Sequence, residues 1–380
     1  MQSIVFITYW FPAPHNPVNG IFIREHARAV AQRHFVTVMH IQGIQPALGQ
    51  QRTLQDQDGT LTVYRIRYPK PAIPKTAWLR LWTSAQAVIK ELDQAGKRPD
   101  ILHANVFSSA GLGYALSKRF GIPCVLTEHA SSFPLNQIKP LEMVSYRFYM
   151  NRLMLIMPVS DNLRQHMIRH GVRGPFRVVP NTVDTQLFKP ALTKTRVQSG
   201  VKEILITANL NAVKAVHLLI QALAALQEER SDFHLSIIGD GPLRSDLLAL
   251  ADKLQVSSRI SFLGVKSKSE VANQMRASDF FVLSSLWENQ PVVLLEAMAS
   301  GLPVVAPAVG GIPEFVGAEY GRLSQPGDIS SLLENIRFMM DHYNEFNPQV
   351  ISQYVHTHFD YHSVASQFDE AYQFALKVFP

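Results

Sequence analysis

The sequence lacks several features that would place it in a special class of protein. Its 380 residues include one cysteine, Cys124, so no internal disulfide can form and no oxidising compartment is required. No window approaches the roughly 20 apolar residues of a membrane span, and the N-terminal MQSIVFITYWF lacks the basic start of a signal peptide. We therefore expect a protein that is neither exported nor transmembrane. It would lie in the cytoplasm, with the inner face of the cell membrane as a candidate docking surface.

The composition is that of a globular protein with ample core material. Hydrophobic residues make up 47% of the chain and charged residues 17%. A single core usually stops growing at about 250 to 300 residues, so two domains are expected. The formal net charge of +6 favours an anionic partner. Nucleic acid is not expected, because no nucleic-acid-binding motif is present and the basic residues are dispersed.

Short apolar runs alternate with helical patterns along the whole chain. The runs are SIVFIT, FVTVMHI, DILHANV, PCVLTEH, LIMPVS and FRVVPN, then EILITANL, FHLSIIGDG, RISFLG, DFFVLSS and LPVVAPAV. Runs that are apolar on both faces, with helices between them, predict parallel sheets covered on both sides. The expected fold class is α/β, with two doubly wound Rossmann-like domains.

A polar segment without periodicity, residues 185–202, predicts a linker. It separates an N-terminal domain, 1–184, from a C-terminal domain, 203–358. The tail 359–380 has apolar residues at helical spacing and predicts a helix that covers an apolar surface. Those apolar residues are Val364, Phe368, Tyr372 and either Ala375 or Phe379. The spacing does not identify the domain that is covered; a return to the N-terminal domain is one candidate.

Ligands of open α/β sheets bind at the loops between strand ends and helix starts. After LITANL we expect a helix from about Val213, which places Lys214 in its first turn, where a cation opposes the helix dipole. A phosphate ligand would offset that cost; the alternative is a solvated surface lysine. Gly239 and Gly241 at the next strand end fit either a close ligand approach or an ordinary tight turn.

Two carboxylates, Glu288 and Glu296, lie in the otherwise apolar stretch SSLWENQPVVLLEAMASGLPVVAP. We expect a helix from about Pro291, which places Glu288 in the preceding loop and Glu296 inside the helix. Carboxylates accept hydrogen bonds from sugar hydroxyls, and amides at a helix start bind phosphate. The alternative for Glu296 is a structural ion pair, because an unpaired buried carboxylate is costly.

Longer segments resemble a known family. GDGPLRSDLLALADKLQVSSRISFLGV and FFVLSSLWENQPVVLLEAMASGLPVVAPAVGGIPEFV resemble the retaining nucleotide-sugar glycosyltransferases of family 4, and Glu288 and Glu296 match the E-x7-E element of that family. NGIFIREHARAVAQRHFVTVMHI, PCVLTEHASSF and VVPNTVDTQLFKP agree with the family in order. The resemblance covers nearly the whole chain and implies the GT-B fold, in which two Rossmann-like domains face a cleft.

The resemblance implies roles for individual residues. Lys214 would bind the donor pyrophosphate, Glu296 the ribose hydroxyls and Glu288 the hydroxyls of the transferred sugar. His129 would face the transferred sugar near the reacting carbon, which makes His129, Glu288 and Lys214 the candidate catalytic residues. His129 also has a structural interpretation, as do His26 and His103. The expected donor-binding set is Gly20, Asn209, Lys214, Gly239, Val265, Glu288, Asn289, Gln290, Pro291, Val292 and Glu296. In this set the backbone near Val265 would meet the base and Gly20 would admit the donor phosphates.

The chain departs from the family pattern at three places. Ala208-Asn209 stands where the family commonly has Gly-Arg, so one phosphate-binding cation is missing. Ala215 stands where many members have glycine. Asn289-Gln290-Pro291 replaces a glycine-containing turn, and Pro291 has no N–H to donate, so donor contacts would shift to neighbouring groups. The identity of the donor sugar depends on these departures.

The implied activity is hexosyl transfer from a nucleoside-diphosphate sugar to an acceptor hydroxyl with retention. A UDP-sugar is favoured over a GDP-sugar, and the acceptor would be a saccharide or lipid-linked saccharide of bacterial polysaccharide, lipopolysaccharide or glycolipid synthesis. No cofactor or metal is expected, because the candidate site residues offer a lysine and amides rather than a cluster of hard-cation ligands. Asp56 and Asp58 could resemble a metal-chelating pair, but Asp58-Gly59 between extended runs is a hairpin signal. A non-catalytic nucleotide-sugar-binding paralogue and an epimerase of the same architecture remain alternatives.

Two segments mix aromatic and basic side chains. They are KTAWLRLWTSAQAVIKEL and KPLEMVSYRFYMNRLMLIM, with Lys75, Arg80, Lys90, Lys139, Arg147 and Arg152. Such segments lie on anionic membranes in some proteins and cover the sheet as ordinary helices in others. Both interpretations stay open at the level of the sequence.

Overall fold

A computed structural model describes residues 1–14, 16, 18–44, 52–69, 74–191 and 200–380. The chain divides into two compact units. The first unit consists of Met1–Thr182 with Tyr361–Pro380, and the second of Val183–Asp360. The first boundary lies two residues before the division expected at 184, and the second two residues after the one expected at 358. Residues 192–199 of the expected linker lie outside the described residues.

The first unit is an α/β unit. Its elements are β1 (Ser3–Thr8), α1 (Ile21–Ala31), β2 (Phe35–Ile44), β3 (Arg52–Asp58), β4 (Leu61–Pro69), α2 (Pro74–Gln94), β5 (Ile101–Asn105), α3 (Ala110–Phe120), β6 (Cys124–Glu128), α4 (Pro140–Met150), β7 (Leu155–Pro158) and α5 (Asp161–Arg169). The strands lie in the order β3-β4-β2-β1-β5-β6-β7. All pairs in this order are parallel except β3 with β4, where the expected turn at Gly59 joins an antiparallel hairpin that pairs Asp58 with Leu61. β5 and β6 are buried along their whole length, as expected of strands covered on both faces.

One run of the first unit does not form the expected regular strand. FRVVPN has a single isolated bridge from Phe176 to β7, although the Arg177 and Val179 amides still bond to Ile156 and Pro158 carbonyls. Pro180 then ends the pairing because it has no N–H. The segment is therefore an irregular edge of the sheet.

The second unit repeats the α/β pattern. Its elements are β8 (Lys202–Thr207), α6 (Val216–Gln227), β9 (Phe233–Ile238), α7 (Arg244–Lys253), β10 (Ile260–Gly264), α8 (Lys268–Ala277), β11 (Phe280–Val282), α9 (Val292–Ala299), β12 (Val304–Pro307), β13 (Gly321–Ser324), α10 (Ile329–His342) and α11 (Pro348–Phe359). The parallel strands lie in the order β10-β9-β8-β11-β12-β13. Their carboxyl ends share one edge of the sheet, so the loops after β8, β9, β10 and β11 are neighbours.

The C-terminal helix α12 (Tyr361–Val378) belongs to the first unit and packs against α1. Its buried face consists of Val364, Ala365, Phe368, Ala371, Tyr372 and Ala375. Polar contacts fix its register: Asp369 pairs with Arg33 at 2.6 Å and with His34, and the Tyr372 hydroxyl lies 2.8 Å from His103 Nδ1. The helix therefore completes the core of a domain formed by the first 182 residues.

Candidate functional site

The site begins at the loop after β8, where Lys214 lies just before helix α6. Asn211 caps a short 3₁₀ turn by accepting the Val213 and Lys214 amides, and Ala215 then adopts a left-handed conformation (φ 46°) that separates this turn from α6. The expectation that Lys214 occupies the first turn of the α-helix is therefore wrong. Its carbonyl accepts the Ser284 hydroxyl at 2.9 Å, which ties this loop to the one after β11.

Lys214 and Glu288 form an ion pair. Lys214 Nζ lies 2.5 Å from Glu288 Oε1, and the same oxygen accepts the Ser285 hydroxyl at 2.7 Å. The Glu288 side chain is 10% exposed and that of Lys214 is 24% exposed, so solvent reaches the ammonium side of the pair. Ion pairing offsets part of the cost of burying the carboxylate. The two residues expected to hold the pyrophosphate and the transferred sugar are thus brought together.

Glu296 forms a second ion pair. It lies on α9, which begins at Val292 with Pro291 as its N-cap, one residue later than expected. Lys268 Nζ, at the start of α8, is 3.5 Å from Glu296 Oε1. The side chains of Asn289 and Gln290 are buried in the turn before α9. Both glutamates of the stretch SSLWENQPVVLLEAMASGLPVVAP therefore have lysine partners, one just before α6 and one at the start of α8.

The remaining expected donor-binding positions lie at the ends of adjacent strands. Asn209 follows β8 and is exposed, Gly239 follows β9, and Val265 follows β10 and is 61% exposed. Gly239 has φ 126°, and a Cβ placed there would lie 1.9 Å from the Ala208 carbonyl oxygen. The close approach of the two loops leaves no room for a side chain at Gly239. This is a structural reason for glycine at this position.

In the first unit, Gly20 immediately precedes α1. It has φ 69°, and a Cβ there would lie 2.3 Å from the Trp10 carbonyl oxygen. Its carbonyl accepts the Ile23 and Arg24 amides at the start of the helix. Glycine is therefore required here because the backbone at position 20 packs against Trp10 in the same loop, whether or not a donor phosphate binds nearby.

His129 follows β6 in a buried histidine cluster. Its Nδ1 lies 3.1 Å from Asn181 Oδ1, and its ring packs at a tilt against the rings of Phe22 and His26, at centroid distances of 4.5 and 5.1 Å. Burial, with His26 and His103 nearby, holds the pKa of His129 well below its usual range. This hydrogen bond joins the neutral His129 ring to the Asn181 side-chain amide, and its direction follows the histidine tautomer.

The other two histidines have structural partners. His103 contacts the Tyr372 hydroxyl and Thr127 Oγ1, the latter at 2.6 Å. His26 Nε2 lies 2.9 Å from the Pro180 carbonyl, and burial lowers its pKa from 6.5 to about 4. Both therefore connect elements of the first unit as neutral side chains.

Two residues missed in the sequence contact expected site residues, one within each unit. Glu128 accepts the Phe107, His129 and Ala130 amides, at 2.6 to 2.9 Å, and burial raises its pKa from 4.5 to about 7. It thereby fixes the backbone that carries His129. Lys268 is the other; its place in the first turn of α8 was a usable signal, since a lysine there needs an anion.

Asp56 and Asp58, the two carboxylates of the hairpin between β3 and β4, each form an ion pair with an arginine. Asp58 pairs with Arg28 at 2.8 Å, and Asp56 with Arg65 at 3.2 Å. Within the described ranges, no three histidine, cysteine, aspartate or glutamate side chains are grouped as metal ligands.

Helix α4 exposes an apolar ridge, which we define as Leu141, Val144 and Phe148, with exposed fractions of 87%, 55% and 47%. The Arg152 guanidinium lies 3.7 Å from the Phe148 ring centroid. The opposite face of α4 buries Met143 and Met150 in the core. The other aromatic and basic segment corresponds to α2, and the side chain of Lys75 lies outside the described part. None of the helices in the described part of the chain is both long and apolar enough to cross a membrane.

Comparison with known proteins identifies the family. Residues 20–187 match Glycosyltransferase Family 4, and residues 191–353 match Glycosyl transferases group 1. The chain is 30% identical over 292 residues to the N-acetyl-alpha-D-glucosaminyl L-malate synthase of Bacillus anthracis, covering 73% of this chain and 75% of that protein. The chain therefore belongs to the family 4 glycosyltransferases.

Two further likenesses are more distant. The alpha-monoglucosyldiacylglycerol synthase of Streptococcus pneumoniae is 28% identical over 227 residues, which is 54% of this chain and 51% of that protein, so the match spans about half of that relative. The Anabaena protein HepE, crystallised with UDP and glucose, has a TM-score of 0.74 at 20% identity and covers 98% of this chain and 100% of its own. This likeness confirms the expected GT-B fold.

Proposed function

We propose that the protein transfers a hexose from a nucleoside-diphosphate sugar, with a UDP-sugar favoured over a GDP-sugar, to an acceptor hydroxyl with retention of anomeric configuration. The observation that carries this proposal is the pair of lysine–glutamate contacts in the second unit, Lys214 with Glu288 and Lys268 with Glu296. One lysine is solvent-accessible beside a carboxylate, which suits a ligand that has both phosphates and hydroxyls. HepE, a structural relative, was crystallised with UDP and glucose.

In the proposed reaction Lys214 stabilises charge on the departing pyrophosphate. The bond between the anomeric carbon and the phosphate oxygen breaks while the acceptor oxygen bonds to the same carbon on the same face. The acceptor proton passes to the leaving phosphate, so no protein base is needed. Preorganised positive charge at the leaving group contributes most where water is excluded.

The other expected residues take supporting roles in this proposal. Glu288 contacts hydroxyls of the transferred sugar, Glu296 contacts the ribose, and the backbone near Val265 meets the base. From the first unit, His129 contacts the transferred sugar and Gly20 admits the donor phosphates. Because His129 is neutral, its ring would form a hydrogen bond with a sugar hydroxyl, a group that can both donate and accept.

A donor panel tests the proposal. The protein is incubated with UDP-, GDP- and ADP-sugars, and slow hydrolysis of each donor is measured without an acceptor. We expect release of one nucleoside diphosphate with its sugar, UDP first among the candidates. Binding without turnover across the panel would favour the non-catalytic paralogue, and conversion of the sugar without release of nucleotide would favour the epimerase.

We also propose that the acceptor is lipid-linked and that the first unit docks on an anionic membrane at the cytoplasmic side, as in polysaccharide, lipopolysaccharide or glycolipid synthesis. The α4 ridge supports membrane docking, because its three apolar side chains are exposed and Arg152 lies against the Phe148 ring. Sedimentation with phosphatidylglycerol vesicles should fall with salt, since exposed charges are screened within about 8 to 10 Å at ordinary ionic strength.

A matched variant pair identifies the surface. Leu141→Ser removes the most exposed member of the ridge, whereas Leu248→Ser removes an exposed leucine of α7 in the second unit. We expect Leu141→Ser alone to reduce sedimentation. Equal sedimentation of both variants, or none by the wild type at low salt, would contradict docking through the ridge.

A further inference from the structure

Lys268 occupies an unusual place for a cation. It is the first residue of α8, whose N-cap Ser267 forms a capping box with Glu270. The amides at a helix start carry partial positive charge, so a lysine there is stabilised only by a nearby anion. That anion is Glu296, with Nζ and Oε1 3.5 Å apart.

The pair is partly withdrawn from solvent. The side chain of Lys268 is 22% exposed and that of Glu296 is 12% exposed. The Lys268 ammonium also lies 5.8 Å from the Phe188 ring centroid, which packs one side of the pair with an aromatic face. In such surroundings the ion pair is screened less than at an open surface, and it restricts the rotation of the carboxylate.

The same loop leads to the expected base position. Val265, whose backbone is proposed to meet the base, stands three residues before Lys268 and is exposed at the end of β10. The segment from Val265 to Lys268 thus brings together a contact for the base and a cation on the carboxylate assigned to the ribose.

We propose that Lys268 is a positioning residue that orients the Glu296 carboxylate toward the ribose hydroxyls and so makes the site select ribonucleotides over 2′-deoxyribonucleotides. The proposal rests on the proposed function, in which Glu296 binds the ribose. A carboxylate held in one orientation pays less entropy when it accepts hydroxyl hydrogen bonds. Loss of Lys268 should therefore weaken binding of a nucleotide that offers both ribose hydroxyls more than binding of a 2′-deoxynucleotide, which offers one.

The experiment compares UDP with 2′-deoxy-UDP by calorimetric titration of the full chain. Lys268→Met removes the ammonium and keeps the aliphatic stem. Lys266→Met is the matched control, because Lys266 lies in the same loop but pairs with the exposed Glu270 at 3.1 Å. We expect Lys268→Met to weaken UDP binding about fivefold to tenfold, as for one charge-assisted contact, and 2′-deoxy-UDP binding much less. Lys266→Met should leave the ratio of the two dissociation constants unchanged.

Equal weakening of both nucleotides by Lys268→Met would overturn the proposal, because Lys268 would then act only as a general positive charge. An unchanged ratio in all lysine variants would overturn it as well. Glu296→Gln separates this failure from that of the proposed function: if it leaves the ratio unchanged, Glu296 does not bind the ribose and the donor site itself is wrongly assigned. A thermal melt of each variant checks folding, and Lys268→Gln replaces the methionine variant if that one unfolds.

Discussion

At the scale of single residues, the two glutamates are distinguished by their partners. Glu288 shares its Oε1 with Lys214 and Ser285, whereas Glu296 faces Lys268 at a longer distance. Removing a carboxylate that has only a structural role would lower the free energy of unfolding by roughly 1 to 3 kcal/mol, because its partner is left unsatisfied. Removing a carboxylate that binds a ligand would instead lower binding or activity while the fold is retained.

The first prediction follows from this difference. Glu296→Gln should weaken binding of UDP, since it alters the ribose contact. Glu288→Gln should mainly lower turnover and leave binding of free UDP near normal, because only Glu288 is proposed to touch the transferred sugar. Calorimetric titration, donor hydrolysis and thermal melts measure the three quantities. Early melting of both variants with wild-type nucleotide affinity would show that the glutamates are structural.

The second prediction concerns pH and His26. Burial lowers the pKa of His26 from 6.5 to about 4, so between these values the unfolded chain binds a proton that the folded chain does not. Its contribution to stability is therefore complete above about pH 6.5 and is lost as the pH falls toward 4. For this residue alone, the loss from pH 7 to pH 5 is about 2 kcal/mol.

His26→Gln removes that titration, so the variant should lose less stability than the wild type over the same interval. Urea unfolding at both pH values, followed by tryptophan fluorescence, measures the difference; Trp10, Trp78 and Trp82 all belong to the first unit. Glu128 acts with the opposite sign, because its pKa is raised to about 7, but it is present in both proteins. The same pH dependence in both proteins would contradict a neutral buried His26.

At the scale of elements, α12 is the part whose removal should matter most to the first unit. Phe368 is fully buried on α12 and contacts the rings of His26 and His103 at 5.0 and 5.3 Å. Phe368→Ala should destabilise the first unit by about 3 to 5 kcal/mol. Phe374→Ala is the matched control, because Phe374 lies on the same helix and is 37% exposed.

The control should change stability by no more than about 0.5 kcal/mol. Urea unfolding of the two variants side by side measures both values. Similar small effects would mean that α12 is not an integral part of the first unit's core.

Strands could be predicted from the sequence where helices cover both faces of the parallel sheet. β5 and β6 are buried along their whole length and were recognised from short runs rich in apolar residues. The edge strand β13, with sequence GRLS, has no such run and was missed. The start of α6 was misplaced because the left-handed Ala215 depends on local packing, which periodicity does not report.

The candidate site was predictable only in part, for the same physical reason. Loops after strands identified the positions of Lys214, Glu288 and Glu296. The partner of Glu296 is Lys268, the first residue of α8. The helix start could have drawn attention to Lys268, but the spacing of residues does not report that it pairs with Glu296. Likewise the apolar stripe of α12 predicted a helix that covers a surface, but many surfaces accept the same stripe.

At the scale of the whole molecule, the prediction concerns metal ions. The proposed donor site supplies positive charge through Lys214 rather than through a divalent cation held by oxygen ligands. We therefore expect transfer to persist in excess EDTA, measured as donor consumption or product formation. Activity abolished by EDTA and restored by manganese or magnesium would contradict this mechanism.

Because α12 belongs to the first unit, the second unit receives all of its residues before the first unit does during synthesis on the ribosome. The second unit is one continuous stretch, Val183–Asp360, whereas the first unit waits for Tyr361–Pro380. At about 5 to 20 residues per second, synthesis of the intervening stretch takes on the order of 10 s or more. During that interval His26 and His103 lack their contacts with Phe368 and Tyr372, so we expect the apolar surface beneath α12 to stay exposed until the helix has been synthesised.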